Sequence, residues 1–234
     1  MASNRPNILL ITTDHLRFDT LGYTGDPVIQ TPAIDRLASE SIRLNRFFVQ
    51  NPVCAPSRAS FTTGRYTRSH GVKWNGSQLN ENEITIVEHL KKNGYQTAVV
   101  GKHHIGQKKF RSHLDHTDAV GIRRGWNERP DGNYTVTDPN PFEQYVRDQG
   151  YEYKTGYALP GFRDKLGAVP SDLPDDCHID AYVGMKSLEY LNTVSGEEPF
   201  FLWTGFYGPH HPYVPSGRFA HMYDPNSLPS FHRD

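Results

Sequence analysis

The chain has 234 residues, and its 25 lysines and arginines nearly balance its 26 aspartates and glutamates, giving a formal net charge of −1. This balance argues against a nucleic-acid-binding protein that depends on bulk positive charge, and 12% aromatic residues argue against a disordered chain. Two cysteines, Cys54 and Cys177, exclude a disulfide framework and fit a reducing compartment. No apolar run is long enough to span a membrane and no secretion signal precedes the first one, so the sequence predicts a cytoplasmic protein.

The apolar pattern predicts strands and helices in alternation along the chain. A continuous apolar run predicts a buried strand over 7–13, and Thr31-Pro32 predicts the start of a helix. The other predicted elements are a short strand or extended segment over 47–53, a short helix from Ser57 to Gly64, a helix over 84–93, a strand over 95–100, long ordered loops with short strands over 107–176, a helix over 178–194 and a strand over 199–206. This order is typical of an α/β fold with a mostly parallel sheet and helices on both faces.

Each of three predicted strands ends in a short cluster of ionisable residues. In open α/β sheets the ligand crevice lies beyond the carboxyl ends of the strands, which predicts that these clusters contribute to one site. The alternative is that strand ends are simply exposed and therefore polar. The three clusters are Asp14-His15, Lys102 to His104, and His210-His211.

The segment from Cys54 to Gly64 resembles the sulfatase signature, in which Cys-x-Pro-Ser-Arg is followed by a spacer and Thr-Gly. The resemblance covers nearly the whole chain and is weakest over 107–176. It implies the alkaline-phosphatase-like fold of the sulfatase family, of which residues 1–234 would be the N-terminal portion of a single catalytic domain. The other segments that resemble the family are 6–22, 101–106 and 199–212.

Membership of this family implies an unusual chemistry for Cys54. The signature cysteine is oxidised to formylglycine, an aldehyde, by a formylglycine-generating enzyme that reads Pro56, Ser57 and Arg58. The hydrated aldehyde has two hydroxyl groups on one carbon, so one can attack the ester and the other can lose its proton to expel sulfate. A serine would leave a stable ester that needs separate hydrolysis. The alternative is that Cys54 is an unmodified buried thiol.

The resemblance also assigns roles to polar residues around this cysteine. Arg58 would hold the formylglycine and neutralise charge, while Lys102 and His104 would contact the transferred group. Cationic donors stabilise the charge that develops on the oxygens of a sulfuryl or phosphoryl group. His210 would be the general acid for the leaving group, and Asn75 would contact the substrate.

A divalent metal is expected as the cofactor, held by Asp14, His15 and residue 54. The carboxylate of Asp14 is a hard ligand suited to Ca²⁺, with Mn²⁺ or Mg²⁺ as alternatives. His15 departs from the family, which has Asp or Gln here. A neutral imidazole would suit a softer ion such as Mn²⁺, or His15 turns away and is structural.

Three functions remain open from the sequence. The first is hydrolysis of a small-molecule or carbohydrate sulfate ester, with selectivity set by the loop-rich region 107–176. The second is hydrolysis of phosphonate monoesters or phosphodiesters by the same apparatus. The third is an incomplete, non-catalytic fragment, because the later Asp-Asn or Asp-His pair and the later Lys of the family have no counterpart after residue 212. Asp224 is expected to be a turn residue.

Overall fold

The computed structural model describes residues 5–118, 141–154, 156–165 and 167–229. Within them every strand is separated from the next by at least one helix. The strands are β1 (Ile8–Thr12), β2 (Gln96–Gly101), β3 (His116–Asp118) and β4 (Phe200–Gly205); the helices are α1 (Pro32–Ser39), α2 (Cys54–Thr63), α3 (Thr67–His70), α4 (Ile86–Lys92), α5 (Lys108–Ser112), α6 (Pro141–Asp148), α7 (Ile179–Thr193) and α8 (Gly217–Ala220). Short 3₁₀ helices occur at Gly22–Thr24, Gly156–Ala158, Asp175–Cys177 and Pro225–Ser227.

The four strands form one parallel sheet in the order β1-β4-β2-β3. Alternate side chains of each strand point to opposite faces. On one face, Phe201 and Trp203 of β4 pack in a core cluster with residues of α2 and α4. On the other face, Ser187 of α7 hydrogen-bonds Thr204 through their hydroxyls at 2.8 Å. The prediction of a parallel α/β sheet with helices on both faces is confirmed.

The first strand differs from its prediction as a buried strand. Ile8 and Leu10 pack against the core cluster, but Leu9 and Ile11 are 49% and 54% exposed. β1 lies at an edge of the sheet among the described residues, so it has a neighbouring strand on one side only. The apolar run correctly predicted a strand, but it did not predict that one face stays open.

The helix that carries Cys54 begins three residues earlier than predicted and ends as predicted. Pro56 lies in the first turn, where a missing N–H leaves no hydrogen bond unmade. The helix ends at Gly64, whose φ of 68° is in the left-handed region that glycine adopts without steric cost. α4 has Thr85 as its N-cap residue, and the Thr85 hydroxyl accepts the Glu88 N–H. Beyond the end of this helix, Gly94 has φ 76°.

The region 107–176 holds more helix than its composition predicts. Its described parts include α5, β3 and α6 rather than loops and short strands alone. In α6, Phe142 and Val146 lie four residues apart on one face and are both buried, which is the helical spacing. Residues 119–140 of this region lie outside the described residues.

Residues 47–53 form the extended approach to Cys54 rather than a strand.

The chain divides into two compact units. The first comprises Met1–Asp14, Val49–Tyr153 and Ile179–Tyr207 and includes the sheet; the second comprises His15–Phe48, Lys154–His178 and Gly208–Asp234. In the second unit, Asp35 of α1 accepts hydrogen bonds from the Tyr23 amide and the Thr31 hydroxyl, both at 2.8 Å. The Thr31 side chain therefore bonds Asp35 instead of capping its helix.

No helix in the described part of the chain combines the length and the apolar character that crossing a bilayer requires.

Candidate active site

Two glycines at the carboxyl ends of β2 and β4 lie where the backbone opposite leaves no room for a side chain. Gly101 and Gly205 are opposite each other in the sheet. A Cβ on Gly101 would overlap the carbonyl oxygen of Gly205, and a Cβ on Gly205 would overlap that of Lys102. Gly101 also has φ 81°, a conformation that costs other residues energy. This close approach fixes where Lys102 leaves the sheet.

Beyond these strand ends the first unit assembles a strand-end cluster of Asp14, Cys54, Arg58, Lys102 and His104. Lys102 Nζ and Arg58 Nη2 lie 2.5 and 3.3 Å from the same Asp14 oxygen, Oδ2. All three side chains are at most 6% exposed. Because breaking a buried pair leaves an uncompensated charge, these three groups depend on one another.

Arg58 is positioned by groups on three sides. Its Nη1 donates to the Lys102 carbonyl at 2.6 Å, and its guanidinium lies over the Trp203 ring, 5.8 Å from the centroid. Burial lowers the pKa of Arg58, and the Asp14 carboxylate opposes that shift. An arginine stays protonated in proteins, so Arg58 is a fixed positive charge four residues after Cys54.

Cys54 is the first residue of α2 and is held by polar side chains. Asn75 accepts the Ala55 N–H at 2.9 Å and donates to the Cys54 sulfur at 3.8 Å. A hydrogen bond from His104 lowers the pKa of the Cys54 thiol to about 7; burial opposes the shift and Lys102 adds to it. A thiol with this pKa is about half ionised at pH 7, whereas an ordinary cysteine is almost fully protonated there.

Backbone strain marks two of the predicted site residues. His15 and His104 have φ values of 59° and 60° and are the described non-glycine residues with positive φ. This conformation is uncommon for residues with a Cβ and occurs where the surroundings impose it, often at functional sites. Each lies just beyond a strand, after Asp14 and after Lys102.

In the second unit the predicted residues His15 and His210 lie together. Their rings stack with centroids 4.2 Å apart, and His211 stacks on His210 at 4.3 Å. The first unit thus brings together Asp14, Cys54, Arg58, Asn75, Lys102 and His104, and the second brings together His15 and His210. His103, between Lys102 and His104, is buried with its ring 5.5 Å from that of Phe110, and this burial lowers its pKa to about 3.

Two aromatic residues next to the cluster were missed from the sequence. Trp203 lies under Arg58, and Tyr207 lies 5.4 Å from Lys102 Nζ in a cation–π contact. Trp203 is visible in the sequence only as part of an apolar strand. Tyr207 follows that strand closely, so its position past a strand end was the available signal.

Comparisons with known proteins show which sequences the chain is similar to. The family model described as Sulfatase matches residues 6–227. The chain is 30% identical over 230 residues to an ulvan-active sulfatase of Formosa agariphila, covering 96% of this chain and 39% of that protein. It is 28% identical over 241 residues to an arylsulfatase of Clostridium perfringens, covering 96% and 47%.

Solved structures show the same fold. The phosphonate monoester hydrolase of Agrobacterium radiobacter superposes with a TM-score of 0.71 at 22% identity, covering 97% of this chain and 45% of that one. The chain therefore spans less than half the length of the relatives named here.

Proposed function

The chain belongs to the sulfatase family, and on this basis we propose that it hydrolyses sulfate esters through a formylglycine formed at Cys54. The observation that carries the proposal is the setting of Cys54 at the start of α2, touched by Asn75 and His104. Arg58 and Lys102 add two buried positive charges in the same strand-end cluster. An ordinary structural cysteine needs none of these groups, whereas donors and positive charges of this kind stabilise the charge that develops when an anionic group is transferred.

Different side chains around residue 54 would perform different parts of the reaction. When formed by a formylglycine-generating enzyme, the aldehyde supplies a hydrated carbon with two hydroxyl groups. Arg58 and Lys102 would stabilise negative charge on the sulfuryl oxygens, since both are desolvated and fixed by Asp14. His104, which hydrogen-bonds residue 54, would hold or accept its proton through the imidazole ring.

The donor set of the first unit is compatible with one divalent cation. An Asp14 oxygen and the Cys54 sulfur lie within 4.8 Å of each other, so the carboxylate and residue 54 would both hold the ion. Carboxylate oxygens are typical Ca²⁺ ligands, with Mn²⁺ or Mg²⁺ as alternatives. The ion would supply positive charge that polarises the ester. Two groups are fewer than the six to eight oxygens that Ca²⁺ takes, so further ligands are needed.

For the second unit we propose the roles that the family resemblance implies. His15 would be a metal ligand and His210 the general acid that protonates the leaving oxygen. Their stacked rings keep both imidazoles beside each other within that unit. Asn75, whose amide contacts both Cys54 and Ala55, would position residue 54 as well as meet the substrate.

The proposed substrate is a small-molecule or carbohydrate sulfate ester. A relative named for ulvan and another named arylsulfatase support this range. Residues 107–176 would contribute to selectivity. A cytoplasmic location remains a prediction from the sequence.

Paired substrates test the proposal. The chain is produced together with a formylglycine-generating enzyme and assayed with Ca²⁺ or Mn²⁺ on 4-nitrophenyl sulfate and on a matched aryl phosphonate monoester. We expect sulfate hydrolysis that the Cys54→Ala variant lacks. Faster hydrolysis of the phosphonate would favour the alternative activity. Hydrolysis of neither substrate would contradict catalysis by this chain alone and favour the incomplete fragment.

A further inference from the structure

Trp203 of β4 is fully buried and contacts three other segments of the first unit. The first contact joins it to β1, because the indole N–H donates to the Thr12 hydroxyl at 2.9 Å. An indole can only donate, so Thr12 Oγ1 is the acceptor. The Thr12 carbonyl also accepts the Phe206 N–H at 2.8 Å. Two hydrogen bonds therefore fix Thr12, which lies two residues before Asp14.

The second contact is with α2. The Arg58 guanidinium carbon lies 5.8 Å from the centroid of the indole, within the range of a cation–π contact, which strengthens when both groups are desolvated. Phe61, three residues further along the helix, meets the indole in a T-shaped contact with the centroids 5.2 Å apart. These two contacts hold α2 against the indole at the turn from which Arg58 reaches Asp14.

The third contact is with the segment that follows β2. The His103 ring packs against the indole in a T-shaped arrangement with the centroids 6.4 Å apart, and His103 Nδ1 accepts the Ile105 N–H at 3.1 Å. Lys102 and His104 flank His103 in the sequence. The indole therefore contacts the residue between the two predicted site residues of this segment.

The charged groups that these three segments carry meet at one atom. Lys102 Nζ and Arg58 Nη2 both reach Asp14 Oδ2, although the three residues are far apart in the sequence. In a close-packed interior, a change in one side chain displaces the groups that pack on it. A change at Trp203 would therefore displace all three segments relative to one another.

We propose that Trp203 is a positioning residue for the strand-end cluster. Its indole sets the relative positions of Asp14, Arg58 and Lys102. The proposal rests on the proposed function, because these are the groups proposed to act on the sulfate ester. The bond to Thr12 supplies direction, since a hydrogen bond weakens steeply as its angle closes. The effect is expected in kcat, because fixed positive groups stabilise charge that develops in the transition state.

Substitutions at both ends of the indole–hydroxyl bond test the proposal. Trp203→Phe keeps an aromatic ring without the N–H, and Thr12→Val removes the acceptor but keeps the side-chain shape. In chain produced with a formylglycine-generating enzyme, we expect each to lower kcat for 4-nitrophenyl sulfate about tenfold and to leave KM within about twofold. Thr12→Ser keeps the hydroxyl and should retain the wild-type kcat. The double variant should be no slower than Trp203→Phe alone, because both substitutions remove the same bond.

Phe201→Leu is the matched control for a loss of core packing. Phe201 lies two residues before Trp203 on the same face of β4, is 2% exposed and belongs to the same core cluster. Urea unfolding should show a loss of stability in this variant, while kcat stays unchanged. If Trp203→Phe does not fold, the two Thr12 variants make the same comparison. Equal losses of kcat in Phe201→Leu and Trp203→Phe, or equal kcat in Thr12→Val and Thr12→Ser, would overturn the proposal.

A second measurement does not depend on turnover. In chain produced without the generating enzyme, residue 54 is a thiol whose ionisation Lys102 and His104 favour. Displacing these two groups should slow its alkylation by iodoacetamide at pH 7. We expect Trp203→Phe and Thr12→Val to slow the reaction about threefold relative to the wild type and to the control variant.

The two proposals fail in different ways. If alkylation depends on the indole–hydroxyl bond but no sulfate ester is hydrolysed, the indole positions the cluster and the proposed function is wrong. If sulfate esters are hydrolysed with the same kcat in the wild type, Trp203→Phe and Thr12→Val, the positioning role is wrong and the proposed function stands.

Discussion

The strand-end cluster and the loop over 71–77, whose Asn75 contacts the Cys54 sulfur, present their cations in opposite ways. Lys102 and Arg58 are buried and meet Asp14, whereas Lys73 is exposed on that loop. The buried charges are fixed by the fold, whereas an exposed lysine side chain keeps its hydration and its conformational freedom. The comparison distinguishes charges that the fold holds in place from a charge that it leaves in solvent.

The largest expected effect follows from removing the shared carboxylate of the cluster. Asp14→Asn leaves Lys102 and Arg58 buried without their counter-charge, and we expect it to lower the free energy of unfolding by about 3 kcal/mol. Urea unfolding followed by circular dichroism measures the loss. The variant should also lose sulfatase activity if Asp14 is a metal ligand.

An exposed carboxylate–guanidinium pair elsewhere in the chain is the control. Arg17 and Asp19 lie 2.5 Å apart on the surface, where ion pairs contribute little. Asp19→Asn should leave the unfolding midpoint unchanged within error. Equal losses for Asp14→Asn and Asp19→Asn would show that the cluster is not the buried network described above.

Glycine substitutions compare the backbones of the same two regions. Gly101→Ala combines a positive φ with overlap of the Gly205 carbonyl, and we expect it to cost about 3 kcal/mol of stability. Gly76, in the loop over 71–77, has φ 95° but no atom within 4 Å of an added Cβ. Gly76→Ala should therefore cost only about 1 kcal/mol. Thermal unfolding of both variants measures the difference, and an equal loss would contradict the close approach of β2 and β4.

A smaller effect concerns the reactivity of the unmodified thiol. Because the pKa of Cys54 is lowered to about 7, its thiolate fraction falls as pH falls through 7. Iodoacetamide should alkylate it with a midpoint near pH 7, and His104→Ala should move the midpoint upward. At pH 7 the wild-type rate should exceed that of an ordinary thiol about tenfold.

Cys177 is the internal control for that measurement. It is buried, and burial raises its pKa, so it should remain unalkylated in the native protein. A Cys54 midpoint at the value of a free cysteine would mean that His104 does not stabilise the thiolate.

The sequence predicted the elements whose signals are local. Gly64 ends α2 and Gly94 follows α4 because a left-handed residue needs no tertiary partner. The meeting of Asp14 with Lys102 was also predictable, since both follow strands of one parallel sheet. The start of α2 at Cys54 rather than Ser57 was not predictable, because Val53 provides no capping side chain.

Long-range packing accounts for what the sequence did not predict. Nothing near Arg58 in the sequence indicates that its guanidinium lies over Trp203 or bonds the Lys102 carbonyl. Leu9 and Ile11 show the same limit, because an apolar residue predicts burial but not which neighbour covers it. The roles assigned to Asn75, His15 and His210 rest on family resemblance and stay predictions.

The most direct test of the account is the chemical state of residue 54. The chain is produced with a formylglycine-generating enzyme, digested with trypsin, and the peptide covering 47–58 is analysed by mass spectrometry. The account predicts the mass of an aldehyde in place of the Cys54 thiol, with a hydrazine probe attached only to that peptide. A peptide that always carries the intact thiol, beside a control sulfatase that is converted in the same cells, would contradict it.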